Sequence, residues 1–110
     1  MVALLAITQS AVAQQDDYKI GKAQEYKREA EYYRERAQSY INEAEYCLKR
    51  AEGYYREVEY YLRLDNQAKV ETYTRYAEEQ MRKSRDQFRY AAEAEERAAT
   101  YLRWAADALQ

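Results

Sequence analysis

Residues 23–64, cut every seven, read AQEYKRE, AEYYRER, AQSYINE, AEYCLKR, AEGYYRE and VEYYLRL. The first letter of each piece, position a, is Ala23, Ala30, Ala37, Ala44, Ala51 and Val58. The fourth letter, position d, is Tyr26, Tyr33, Tyr40, Cys47, Tyr54 and Tyr61. A seven-residue period sustained over this length is the signature of α-helices packed along one face, because 3.5 residues per turn holds that face towards a neighbour.

The frame breaks at Asp65-Asn66-Gln67-Ala68-Lys69 and resumes over 70–110 as VETYTRY, AEEQMRK, SRDQFRY, AAEAEER, AATYLRW and AADALQ. Position a here is Val70, Ala77, Ser84, Ala91, Ala98 and Ala105. The large apolar residues shift to position e, with Met81, Phe88, Leu102 and Leu109; the first segment adds Ile41, Leu48, Tyr55 and Leu62 at e. A row of alanines lets two helix backbones approach to the short end of the usual 8–10 Å range. The large d and e side chains are then expected to fill the flanks of the seam, in the manner of an alanine-rich antiparallel coiled coil.

The break sets the topology. Five inserted residues rotate the apolar stripe by about 140° on a continuous helix, so a straight helix would bury its two halves on different sides. Asp and Asn suit turns and N-caps, and Asn66 suits a left-handed backbone. The sequence thus predicts an all-α, antiparallel two-helix hairpin over 14–110. Helix 1 is placed at about 16–64, the turn at 65–69 and helix 2 at about 70–109. The scarcity of Gly and Pro keeps a single continuous helix as the alternative.

Composition narrows the chemistry. The 110 residues include no proline, no histidine, two glycines, one cysteine and fourteen tyrosines. Turn-rich β-folds are hard to build from such a chain. Without histidine there is no His-assisted nucleophile, no Glu-x-x-His di-metal pair and no haem-attachment motif. The two glycines, Gly21 and Gly53, form no phosphate-cradling loop. Eighteen basic and twenty acidic residues leave a net charge of −2, which gives no general attraction to nucleic acid. No cofactor, metal site or small-molecule substrate is read from the sequence, and the chain is expected not to be an enzyme. Cys47 at d reads as a small buried apolar residue; the alternative is a disulfide between two copies in an oxidising compartment.

The N-terminal stretch differs from the rest. Met1–Ile7 is apolar and uncharged, and Ala11-Val12-Ala13 precedes the polar Gln14-Gln15-Asp16-Asp17. A short apolar run ending in A-x-A is the pattern of a secretory signal peptide, with cleavage after Ala13. It is too short to span a bilayer, which takes about 20 apolar residues. Residues 1–13 are therefore read as a signal peptide or as an apolar N-terminal arm. Cleavage would make the protein periplasmic or extracellular, and retention of the segment would leave it cytoplasmic.

A second aromatic pattern lies outside the a/d/e face. Position c of the first arm carries Tyr18, Tyr32, Tyr46 and Tyr60, and position g of the second carries Tyr76, Tyr90 and Trp104. Each series repeats every fourteen residues, or about 21 Å along a helix. Tyrosine can lie on a surface beside Lys and Arg stems, but it is also enriched at protein interfaces. A lone hairpin has no interior for these rows, and two helices cannot cover their a, d and e faces from water. The sequence thus predicts assembly into a bundle or larger polymer. The seam would be Ala30, Ala37, Ala44, Ala51, Ala77, Ala91, Ala98 and Ala105, and the interface the seven flank aromatics. Two other readings are an accessory subunit docking on a larger envelope or enzyme complex, and a module holding an apolar or sugar ligand in a Tyr-lined groove. Glu31, Glu45, Glu52 and Glu59 at b and the basic f positions, such as Lys49, Arg56 and Arg82, read as solvated faces.

Overall fold

A computed structural model describes the backbone of residues 2–110 and the side chains of residues 14–110. The chain forms two α-helices, α1 (Val2–Arg63) and α2 (Gln67–Ala108), joined as an antiparallel hairpin; there is no strand among the described residues. Helix α1 begins at Val2, not near residue 16, because neither Pro nor Gly interrupts the chain before Gly21. The side chains of residues 1–13, and with them the signal-peptide reading, lie outside the described residues.

The turn is tighter than the heptad break suggests. It occupies residues 64–66, and Gln67-Ala68-Lys69 already belong to α2. The Asn66 N–H donates to the Tyr61 carbonyl at 3.0 Å and the Asp65 N–H to the Leu62 carbonyl at 3.1 Å. That pair of bonds is a Schellman C-cap, which needs one left-handed residue. Asp65 supplies it, with φ 60°, in place of the Asn66 expected to tolerate that conformation. Asn66 acts on the other side of the turn. Its Oδ1 accepts from the Lys69 N–H at 3.2 Å and its carbonyl accepts from the Val70 N–H at 3.1 Å. One residue therefore closes α1 through its N–H and caps α2 through its side chain.

The chain divides into two compact units, residues 36–94 around the turn and residues 1–35 with 95–110. In the 36–94 unit the seam is made of Ala37, Ala44, Ala51, Ala77, Ser84 and Ala91 at a, with Cys47, Gln80 and Ala94 at d. Tyr40 and Ile41 pack against the cluster of Ala37, Ala91 and Ala94. In the other unit the buried residues are Ala23, Ala30, Ala98 and Ala105. The alanine seam is present as expected. Val58 and Val70, the a residues nearest the turn, are half-buried. Among the fully buried side chains of the described residues, the largest is Ser84.

The e residues behave differently from the expectation. Tyr55, Leu62, Met81, Phe88 and Leu109 are exposed, and Ile41, Leu48 and Leu102 are half-buried. Ile41 packs on the Ala37, Ala91 and Ala94 cluster, but the exposed members of the row do not close the flank of the seam. An e residue lies about 50° round the helix from a, which puts it on the shoulder of the seam and not in it.

Candidate interaction surfaces

In an antiparallel pair with facing a/d seams, the d and g rows of the two helices share one flank and the e rows share the other. The contacts show the first arrangement in each unit. In the 36–94 unit, Tyr54 of α1 lies 5.5 Å from Tyr76 and 6.1 Å from Tyr73 of α2, between ring centres. Tyr61 stacks on Tyr73 at 5.6 Å with 7° between ring planes, and Tyr40 lies 5.6 Å from Tyr90. The Arg50 guanidinium donates to the Tyr54 hydroxyl at 3.0 Å, and that bond, reinforced by the negative charge the hydroxyl carries once ionised, raises the Arg50 pKa above its ordinary value. Arg36 donates to the Tyr40 hydroxyl at 2.9 Å.

The unit formed by the two chain ends repeats the design. Tyr33 stacks on Tyr101 at 5.7 Å with 12° between planes. Tyr26 meets Trp104 edge-on at 5.8 Å, and Tyr101 meets Trp104 at 5.2 Å. Arg97 donates to the Tyr33 hydroxyl at 3.2 Å and lies over its ring. Lys22 lies over the Tyr26 ring; its pKa is raised by the Glu25 carboxylate, 3.5 Å away.

The seven flank aromatics therefore fall into two groups. Tyr76, Tyr90 and Trp104 keep an exposed edge, yet each packs across the hairpin on a d tyrosine of α1. They complete the fold as well as facing solvent. Tyr18, Tyr32, Tyr46 and Tyr60 lie further out and are all exposed. Tyr32 and Tyr60 turn edge-on to Tyr33 and Tyr61 of their own helix, and Tyr46 lies beside Arg50. Cys47 is buried at 4% exposure. A disulfide from it to a second copy would require the two helices to part.

Two shallow clefts open on the aromatic flank. One, of about 410 Å³, is walled by Tyr18, Tyr26 and Trp104, with Lys19, Lys22 and Asp107 at its margin. The other, of about 260 Å³, is polar and lined by Arg50, Tyr54, Tyr76, Glu79, Gln80 and Lys83. Its charges are partly satisfied internally, since Lys83 pairs with Glu79 at 3.7 Å and Arg50 is bonded to Tyr54. Among the described residues, no three His, Cys, Asp or Glu side chains converge to hold a metal ion, and no helix is long and apolar enough to cross a membrane.

Sequence reasoning placed the aromatic rows and named the e row, but expected that row to fill the flank, where several of its residues are exposed. The buried d residues of α2, Gln80 and Ala94, are polar or small, so hydrophobicity alone drew attention to the neighbouring e row. The usable signal was the heptad position itself. No protein-family model matches the chain, and no curated protein or solved structure was found similar to it.

Proposed function

We propose that the protein is a non-enzymatic structural component that assembles with copies of itself. One observation carries this reading: the fully buried positions are held almost wholly by small residues, and many large ones stay exposed. The seam is alanine, while Tyr18, Ile20, Tyr46, Leu62, Phe88 and Leu109 are among the large apolar or aromatic side chains that remain exposed among the described residues. Single exposed apolar residues are ordinary, but contiguous rows of them mark contact surfaces. Pairing hairpins into a bundle supplies the second layer that two helices lack. The A-x-A pattern at Ala11–Ala13 supports export, so the assembly would act in the periplasm or outside the cell. A native N-terminus beginning at Gln14, read by mass spectrometry, is the expected result; an intact residue 1–13 segment would return the protein to the cytoplasm.

The test of assembly is light scattering coupled to size exclusion over a hundredfold range of concentration, roughly 1 to 100 μM, where weak to moderate homotypic contacts are populated. The mass is expected to rise above that of one chain. A single-chain mass throughout overturns the proposal.

A further inference from the structure

We infer that the e-row flank of the 36–94 unit is the surface on which a second copy of the chain seats, related by a two-fold axis; this rests on the assembly reading above. The register follows from the contacts on the opposite flank, where Tyr40 pairs with Tyr90 and Tyr54 with Tyr76. It sets Ile41 level with Phe88, Leu48 with Met81 and Tyr55 with Thr74. Leu62 continues the row to the turn. No charged residue interrupts this strip, whereas Glu45, Glu52 and Glu59 at b border it along α1. An apolar centre with a charged rim is the anatomy of a protein interface.

The area suits a second copy. Tyr55, Leu62, Met81 and Phe88 are 42%, 57%, 36% and 40% exposed. At about 200 Å² for a large side chain, these four leave on the order of 350 Å² in water. Two copies would contribute about 700 Å² of apolar surface. At the ~65% apolar share of homodimer interfaces, that corresponds to about 1,100 Å² in total, above the ~1,000 Å² that a specific interface needs. Geometry also favours a copy over an unrelated partner. Both rows of the strip repeat every seven residues, or about 10.5 Å. A copy turned through 180° presents the same spacing, so its side chains can fall between those of the first. Such a contact is self-complementary and closes at two hairpins, giving a four-helix bundle.

The flank changes character beyond this unit. In the unit of the chain ends, the e positions include Lys27, Arg34 and Glu95, all exposed. The uncharged strip is confined to 36–94.

The experiment compares two variants of the full chain by sedimentation velocity and light scattering. Leu48→Lys/Met81→Lys places four charges in the two-fold contact and is expected to weaken dimer formation about a hundredfold or more. Tyr32→Ser/Tyr46→Ser/Tyr60→Ser alters the outer tyrosine row and is expected to leave the dimer intact. Helix content by circular dichroism is expected to match the parent chain in both. As a second measurement independent of variant folding, a photo-crosslinking residue at position 88 is expected to join α1 of the other copy within residues 41–62. Retained assembly in the lysine variant, or cross-links elsewhere, overturns the inference. If the serine variant alone dissociates, the strip is not the interface, although self-assembly stands. A parent chain that never exceeds one-chain mass overturns both.

Discussion

The two flanks of the alanine seam in the 36–94 unit are finished in opposite ways. On one side, rings from both helices meet: Tyr54 with Tyr73 and Tyr76, Tyr61 with Tyr73, Tyr40 with Tyr90. On the other, Tyr55, Leu62, Met81 and Phe88 remain in water. Alanine brings the helices together, and a tyrosine at d is long enough to reach over the seam to d and g of its neighbour. Rings joined in this way supply both buried area and favourable edge and stacking contacts. At e, Ile41 packs on the seam alanines, whereas Tyr55, Leu62, Met81 and Phe88 stay on its shoulder. The d/g flank therefore joins the two helices of the hairpin, and the e flank keeps large side chains exposed.

The largest expected effect separates these roles. Tyr73 touches Tyr54, Tyr61 and Tyr76. Tyr73→Ala is expected to destabilise the hairpin by about 2–3 kcal/mol, below the range for fully buried aromatics because the ring is half-buried. Phe88→Ala on the other flank is expected to cost less than about 1 kcal/mol in dilute solution. Urea denaturation followed by circular dichroism at low micromolar concentration measures both. Equal losses would mean that the e row already supports the single chain, as the d/g flank does. Raising the protein concentration is expected to increase the cost of Phe88→Ala alone, because association stabilises the folded state by mass action.

The seam and the hairpin were legible because both depend on period. Ala30, Ala37, Ala44, Ala77, Ala91 and Ala98 recur at sevens, and their burial follows once two such stripes face each other. The exact turn was less legible. The heptad pattern is lost over five residues, yet Gln67-Ala68-Lys69 already form the first turn of α2. Cap geometry, set by Asp65 and Asn66, decides where the chain reverses, and a frame count does not register it. The roles of the flank residues were the least legible. Tyr76 and Tyr60 look equivalent as letters spaced at fourteen. Only the handedness and direction of the helix pair place Tyr76 over Tyr54 and leave Tyr60 beside Tyr61.

A variant in the turn provides a reference that touches neither flank. Asn66→Ala keeps the backbone bond to Tyr61 but removes the side-chain acceptor for the Lys69 N–H. Loss of an N-cap of this kind costs about 1 kcal/mol. The decrease is expected in the single chain, with dimer affinity unchanged at concentrations where both states are folded. A change in affinity would show that the turn conformation contributes to association, and the division between folding flank and docking flank would need a third element.

The smallest expected effect probes the outer tyrosine row. Gly53 occupies position c between Tyr46 and Tyr60, within α1 and without a positive φ. A Cβ added there meets nothing within 4 Å. Nothing in the hairpin therefore requires glycine, and Gly53→Ala is expected to raise stability by about 0.5–1 kcal/mol through the smaller entropy loss of alanine on entering a helix. The same methyl group tests whether the c row is a contact surface. Were a second copy seated along Tyr46 and Tyr60, a glycine between them would allow its backbone to come close, and the methyl would hold it off. The variant is thus expected to gain stability in thermal denaturation while its association constant stays that of the parent chain. A gain in stability accompanied by weaker association would move the docking surface from the aliphatic flank to the tyrosine row, and only the folding half of the comparison would survive.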